Sequence, residues 1–324
     1  MKEEFGGFLP LELKKGEELY KENNLYEIQR YNSGRTAIWA ALQNMHISRL
    51  WVPHFYCPSV FEMLYGMGIE ICKYHIDEEF KPIDITDSAS DGLILVNYYG
   101  ILDKYIMSLN VDRKNLMIDN SQAFYTKPII HEGIYNIYSC RKFFGVPDGA
   151  YLIGKKLKQS NLEQGTSYER MTALLKAIEL GTNSAYKDSL RNEEALNEKK
   201  NYMSLLTKSL LQSIDYEEVA KIRLRNAAYV NDRLSKWQTI KNIDLSSVMY
   251  LYPLLVNKDI RSKLVSKKIY IPTLWKELIT AEYEGTIEYR YSKYMLCLPI
   301  DQRYTVDDLE KMCTIVEEEL ESMN

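Results

Sequence analysis

The segment from Asn115 to Gly154 constrains the fold of this chain most, because short apolar runs alternate in it with polar turns. The first run, Leu116 to Ile118, ends at Asp119, and the second run, Ile134 to Tyr138, is followed by a serine and then by basic residues. Short apolar runs bounded by turn residues are typical of strands buried on both faces of a sheet. The segment therefore predicts neighbouring strands with an acid and a base at their C-terminal ends.

The base that matters chemically is Lys142, which follows Ser139 at the end of the second run. In open α/β sheets, ligands bind in the crevice outside the C-terminal ends of the strands. Asp119 and Lys142 would both project there, and pyridoxal phosphate (PLP) chemistry needs such a pair: an amine for a Schiff base and an acid for the pyridinium nitrogen. Most Asp and Lys residues are ordinary surface residues, so this hypothesis depends on further elements of the chain.

A polar turn opens the first helical pattern. Ser33, Gly34, Arg35 and Thr36 precede the apolar run Ala37 to Leu42. Ser33 is a candidate N-cap, and the glycine allows a ligand to approach the backbone closely. The free N–H groups at such a helix start can hold a phosphate. Most turns of this kind only cap their helix, and both interpretations stay open.

An aromatic loop follows the next predicted strand, at residues 50 to 52. Phe55 and Tyr56 lie in this loop, just before a helical pattern. Their rings could stack on a planar cofactor, or they could pack the helix against the sheet. The sequence does not decide between these two roles.

Strand and helix patterns alternate through the first half of the chain. This predicts an α/β fold with a mainly parallel central sheet and helices on both faces. A helical pattern from about 167 to 234 leads to a final α+β part, so the predicted domains are 1–215 and 216–324. A weaker pattern predicts a short helix from Gly16 to Asn23.

Composition excludes several classes of function. Of the 324 residues, 46% are hydrophobic and 27% charged, with a net charge of −4 and both signs interspersed, so no basic surface for nucleic acid is expected. Neither an apolar segment of membrane-spanning length nor a signal peptide is expected. The five cysteines and four histidines lack metal-ligand spacing, which predicts free thiols in the cytoplasm and no metal site.

Together these elements resemble the DegT/DnrJ/EryC1/StrS family of sugar aminotransferases, which are PLP-dependent enzymes of fold type I. The resemblance covers nearly the whole chain. It rests on the turn at residues 33 to 36, Val52-Pro53, Tyr99-Gly100, the Arg-x-x-Asn pattern at Arg223 to Asn226, and Leu298-Pro299 before the closing helix. It implies a large PLP-binding domain at 1–215 and a smaller α+β domain at 216–324.

The resemblance also implies a role for each candidate residue. Lys142 would form the Schiff base, Asp119 would keep the ring nitrogen protonated, and Gln122 would hydrogen-bond the phenolic oxygen of the ring. The remaining cofactor contacts would be Ser33, Gly34, Arg35, Thr36, Phe55, Tyr56 and Ser139.

Four positions depart from the family pattern. Ser139 lies closer to the lysine than the usual phosphate-binding serine, and the stacking aromatic would align near Cys57. The second residue of the glycine pair is Ala150. The Gly-x-Asn-x-Arg element, through which a partner subunit reaches the phosphate, is not evident, and Asn183 replaces it poorly.

The resemblance implies an aminotransferase that takes an amino group from a glutamate-like donor to a nucleotide-linked keto-sugar, in polysaccharide biosynthesis, and that forms a homodimer. Two alternatives stay open: a non-catalytic or regulatory protein with this fold, and a related PLP enzyme acting on a non-sugar substrate. Lys142 argues against the related sugar dehydratases, which carry histidine at that position. No GxGxxG follows a predicted strand, which argues against a nicotinamide enzyme.

Overall fold

The computed structural model describes residues 5–86, 88, 90–109 and 113–322. Its main feature is an eight-stranded sheet with the strand order β1-β8-β7-β6-β5-β2-β3-β4. The strands are β1 (Glu27–Tyr31), β2 (Arg49–Pro53), β3 (Glu70–Ile76), β4 (Pro82–Ile83), β5 (Gly92–Val96), β6 (Leu116–Asp119), β7 (Ile134–Ser139) and β8 (Ala150–Gly154).

The middle of this sheet is parallel. Strands β3, β2, β5, β6 and β7 pair with one another in parallel, and antiparallel pairs occur only toward the two sides of this described sheet. Every residue of β5, β6 and β8 is buried, as expected for strands covered on both faces. The predicted α/β class with a mainly parallel sheet is confirmed.

Helices cover the sheet and connect its strands. In chain order they are α1 (Gly34–Asn44), α2 (Pro58–Tyr65), α3 (Asp103–Met107), α4 (Thr172–Leu180), α5 (Thr182–Glu198), α6 (Leu205–Gln212), α7 (Tyr216–Leu234), α8 (Arg261–Ser266), α9 (Ile287–Tyr294) and α10 (Val306–Glu321). Helix α10 is capped by Thr305, whose Oγ1 accepts the Asp308 N–H while the Asp308 carboxylate accepts the Thr305 N–H.

The C-terminal part carries a second, two-stranded sheet. Strands β9 (Tyr252–Leu255) and β10 (Met295–Leu298) pair antiparallel, and α7 and α10 pack beside each other. Helix α7 begins at Tyr216, where the sequence places its domain boundary. The two-domain division itself stays a prediction, and residues 1–4, 87, 89, 110–112, 323 and 324 of the two predicted domains lie outside the described residues.

The N-terminal region differs from the sequence-based prediction. Residues 16 to 23 are not helical, so the helix predicted there is wrong. The polar side chains of this segment bond to distant parts of the chain: Glu18 accepts from Arg30 and Tyr151, and the Tyr20 hydroxyl donates to the Phe124 carbonyl. These tertiary bonds attach the segment to β1, to β8 and to the loop that follows Asp119.

Candidate active site

Asp119 is the last residue of β6 and lies buried at the C-terminal edge of the sheet. Its Oδ1 accepts the Ser121 N–H at 2.8 Å, and its Oδ2 accepts the Tyr56 hydroxyl at 2.5 Å. Burial raises the pKa of Tyr56 well above its usual value, and the charge of Asp119 raises it further, so Tyr56 keeps its proton and donates it. The carboxylate is thus held in one orientation by two donors.

Lys142 ends a short 3₁₀ turn, Cys140–Lys142, directly after β7. Since β6 and β7 are parallel neighbours, with Asp119 opposite Ile137, the acid and the lysine leave the same edge of the sheet. The Lys142 Nζ lies 5.7 Å from the centre of the Tyr250 ring, and the lysine is half-buried. The predicted pairing of an acid and a lysine on adjacent strand ends is present in the structure.

Gln122, three residues after Asp119, is linked through Tyr99 to Tyr250, the residue beside Lys142. Gln122 is buried, and its Oε1 accepts the Tyr99 N–H at 2.9 Å. The Tyr99 carbonyl in turn accepts the Tyr250 N–H at 2.9 Å. The amide oxygen of Gln122 therefore faces Tyr99, which leaves the amide nitrogen as the end that would face a ligand's oxygen.

The turn at residues 33 to 36 starts α1. Ser33 is the N-cap, because its Oγ accepts the Thr36 N–H at 3.2 Å, and the Thr36 hydroxyl donates to Asn32 Oδ1 at 2.7 Å. A Cβ placed on Gly34 would lie 3.5 Å from Ser121 Oγ. The start of the helix thus adjoins the loop that follows Asp119, with space beside the glycine backbone.

Arg35 points away from the sheet edge toward α2. Its Nη1 donates to Ser59 Oγ at 2.9 Å, and burial lowers the pKa of the guanidinium, against the opposing effect of Glu193. The side chain lines a cavity of about 380 Å³ between α1, α2 and the end of α5, together with Trp39 and Lys200. The backbone of Arg35 belongs to the first turn of α1, whereas its guanidinium lies beside this adjoining cavity.

Helix α5 brings a carboxylate to the lysine turn. Arg141 donates to both oxygens of Glu193, at 3.3 Å in one of the two contacts. Burial raises the pKa of Glu193, but Arg141, Arg35 and Lys142 outweigh it and hold the pKa below its ordinary value. Sequence reasoning missed Glu193, because it lies in a charged helix without any motif.

The two aromatic candidates have different positions. Tyr56 contacts Asp119 as described, whereas Phe55 is fully buried in the core, with the Trp275 ring edge-on at 4.7 Å and the Tyr98 ring at 5.4 Å. Of the two roles left open for Phe55, this geometry supports packing. Ser139 is the last residue of β7 and lies opposite Ala150 of β8.

The structure resembles several solved aminotransferases. CalS13, a sugar aminotransferase from Micromonospora echinospora, is 13% identical with a TM-score of 0.57, over 90% of this chain and 87% of that one. A DegT/DnrJ/EryC1/StrS aminotransferase from Brucella abortus is 11% identical with a TM-score of 0.55, over 90% and 85%. NtdA from Bacillus subtilis, with bound PMP, is 12% identical with a TM-score of 0.59, over 91% and 73%.

The chain has the aminotransferase fold. The resemblance predicted from the motifs is thereby confirmed at the level of the fold, which is fold type I of the PLP-dependent enzymes. No protein-family model matches the sequence, and no curated protein matches it.

Two further observations concern membranes and metals. Within the described residues, no helix of this aminotransferase fold is both long and apolar enough to cross a membrane. In the same part of the chain, no group of three or more His, Cys, Asp or Glu residues is arranged to hold a metal ion.

Proposed function

We propose that this protein is a PLP-dependent aminotransferase. The observation that carries the proposal is the placement of Asp119 and Lys142 at adjacent ends of the parallel strands β6 and β7, in a fold shared with aminotransferases. NtdA, which has this fold, was solved with PMP bound, and this supports the same cofactor here. The fold alone does not establish an activity, so the argument depends on these residues.

The residues of this chain fit PLP. Asp119 is buried and already oriented by Ser121 and Tyr56, as an acid that holds a ring nitrogen must be. The start of α1 offers backbone N–H groups beside Gly34. The space beside this glycine is open, since even an added Cβ would make only an ordinary contact with Ser121. Lys142 follows the neighbouring strand end. In this proposal the amine, the acid and the anion site would face one bound cofactor.

Each side chain has a physical task in this proposal. PLP, when bound, supplies the electron sink for the reaction. Lys142 would hold the cofactor through its amine and would move a proton to and from the substrate carbon, a role worth about 10²–10⁴-fold in rate. Asp119 would hold the positive charge of the ring nitrogen, and Tyr56 and Ser121 fix the direction of its carboxylate. Gln122 would donate its amide nitrogen to the ring oxygen.

We also propose the substrate class, the assembly and the location. CalS13 is a sugar aminotransferase, which supports a keto-sugar acceptor. The glutamate-like donor, the nucleotide linkage and the role in polysaccharide biosynthesis are proposed from the resemblance of the motifs. Helices α4 and α5 expose Ile178, Leu180 and Tyr186 by more than half of their surface, which favours a homodimer. All five cysteines are free thiols, as in cytoplasmic proteins.

Borohydride reduction of the PLP-loaded protein, followed by peptide mapping, tests the cofactor site. A pyridoxyl group on Lys142 is expected, and Lys142→Ala should lose both this label and the visible absorbance. Lys156→Ala, at an exposed lysine paired with Glu132, is the matched control and should behave like the wild type. A label on another lysine, or none at saturating PLP, would refute the proposal.

Asp119→Asn tests the role of the acid. The amide keeps the shape and can still accept from Ser121, but it cannot hold the ring charge, so both half-reactions should slow by about 10²–10³-fold while the fold is kept. Single-turnover kinetics with glutamate would measure the first half-reaction. Rates equal to those of the wild type would remove Asp119 from the active site.

A further inference from the structure

Arg223, on α7, is one of the largest fully buried side chains, with 1% of its surface exposed. Its guanidinium donates four hydrogen bonds. Nη1 donates to the Met249 and Tyr250 carbonyls at 3.1 and 3.0 Å, Nη2 to the Phe143 carbonyl at 3.3 Å, and Nε to Gln302 Oε1 at 3.0 Å. All four acceptors are neutral oxygens.

This arrangement is costly as a purely stabilising device. A buried charge needs extensive hydrogen bonding, and well-packed apolar residues often stabilise a site as well or better. Burial lowers the pKa of Arg223, and the charge of Asp301 opposes that effect. A planar cation with several donors is, however, well suited to hold several carbonyls in fixed directions at once.

Two of the acceptors flank Lys142. Phe143 follows Lys142 directly, and its carbonyl also accepts from Gln302 Nε2 at 2.8 Å. Tyr250 is the residue whose ring lies 5.7 Å from Lys142 Nζ. The guanidinium also lies 4.7 Å from the centre of the Phe143 ring. One side chain therefore fixes both the backbone that carries the lysine and the ring beside its amine.

We infer that Arg223 is a positioning residue for Lys142, and that with Gln302 it forms a clamp through which the C-terminal part of the chain sets the direction of the lysine amine. This inference rests on the proposed function for its catalytic meaning. Its geometric content, the direction and accessibility of Lys142, does not depend on the cofactor.

The test uses Arg223→Lys, which keeps the charge but cannot hold three carbonyls in one plane. Arg233→Gln is the matched control, since Arg233 lies on the same helix but forms a partly exposed ion pair with Glu317. In the cofactor-free protein, the rate at which trinitrobenzenesulfonate modifies Lys142, relative to Lys156, should change at least threefold in Arg223→Lys only. In the loaded enzyme, kcat should fall by about 10²-fold, the size expected for a misplacement near 1 Å.

Other readouts separate positioning from loss of fold. Circular dichroism and thermal melting should show that Arg223→Lys stays folded, the KM for the amino donor should change less than threefold, and the pH midpoint of the visible band should shift. Wild-type kcat, band midpoint and Lys142 reactivity in folded Arg223→Lys would overturn the inference.

Gln302→Ala provides a second variant if Arg223→Lys does not fold. It removes one of the two donors to the Phe143 carbonyl from a half-buried position, and a smaller change of the same readouts is expected. No change in this variant would then overturn the inference. A wild-type protein without any PLP label on Lys142 would instead refute the proposed function. The rate at which trinitrobenzenesulfonate modifies Lys142 would still test whether Arg223 and Gln302 position this lysine.

Discussion

Two parts of the chain cover the sheet edge that carries Asp119 and Lys142, and they are held in different ways. The C-terminal part meets the sheet through buried polar contacts: Arg223 donates to the Phe143 carbonyl, and Glu288, with 1% of its surface exposed, accepts from the backbone of β3. The hairpin of α4 and α5 reaches the same edge through Arg141 and Glu193, of which Glu193 is about half exposed.

The difference shows which of the two parts, the C-terminal part or the hairpin, is held in place by contacts within the single chain. A buried donor or acceptor that loses its partner costs its full desolvation, so contacts such as those of Glu288 permit one arrangement only. A partly exposed ion pair contributes little, and the outer face of the hairpin is apolar at Ile178 and Leu180. The buried contacts of the C-terminal part therefore fix its position within the single chain, whereas the apolar outer face of the hairpin is the surface on which the proposed homodimer depends.

The largest effect on stability is expected from Glu288→Ala. The change leaves the Ile76 N–H, 2.9 Å from Glu288 Oε1, and the His75 ring without their acceptor, which should cost about 1–3 kcal/mol of unfolding free energy. Urea denaturation measures it, with the exposed Glu282→Ala as control. Equal midpoints for both variants would break the comparison, because the C-terminal cover would then be no more tightly fixed than the hairpin.

A pH-dependent effect is expected at the same interface. Burial, His75 and Lys73 lower the pKa of His54 to about 4, and its Nδ1 contacts the Tyr283 hydroxyl at 3.0 Å. The unfolded chain binds this proton near pH 6.5. The stability contributed by neutral His54 is therefore complete above pH 6.5 and is lost as the pH falls from 6.5 to about 4.

His54→Gln should remove that part of the acid sensitivity. Its melting temperature should fall less steeply than that of the wild type between pH 6.5 and 4. The corresponding difference in unfolding free energy should be smaller than the loss expected for Glu288→Ala, because His54 is only half-buried. Parallel curves for the two proteins would show that the interface does not sense this proton.

A smaller effect is expected from Glu193→Gln in the hairpin. The ion pair with Arg141 is partly exposed, so its loss should cost less than about 1 kcal/mol and should be smaller still in high salt. Because the pKa of Glu193 is below its ordinary value, the pair stabilises at neutral pH and loses this contribution as the pH falls through the acid range. A loss of unfolding free energy as large as that of Glu288→Ala would show that the hairpin is held to the sheet as tightly as the C-terminal part.

The smallest effect on the fold of the single chain is expected from Ile178→Glu, since 82% of this side chain is exposed. Helix content by circular dichroism should not change, and any effect on the chain's own stability should stay within about 0.5 kcal/mol. Light scattering should show a dimer for the wild type and a monomer for this variant. A monomeric wild type with full activity would show that the hairpin needs no second copy.

Local patterns in the sequence determined the elements that carry the chemistry. Strands β6 and β7, the cap at Ser33 and the start of α10 at Thr305 follow from apolar runs and capping residues within a few positions of each other. Asp119 could be selected because it directly follows such a run, and Lys142 because it lies four positions after the end of the next run. Periodicity and capping act over one or two turns of chain, so residue order alone shows them.

Only the tertiary structure decided which distant residues surround that pair. Arg141 meets Glu193 across 52 positions and Arg223 meets Phe143 across 80. No motif marks Glu193, and the Arg-x-x-Asn pattern that includes Arg223 does not show which carbonyls it binds. The packing of Phe55 against Trp275 and the absence of a helix at residues 16 to 23 also depend on such distant contacts. Burial and hydrogen-bond partners at such separations depend on how the whole chain packs, and residue order alone does not show them.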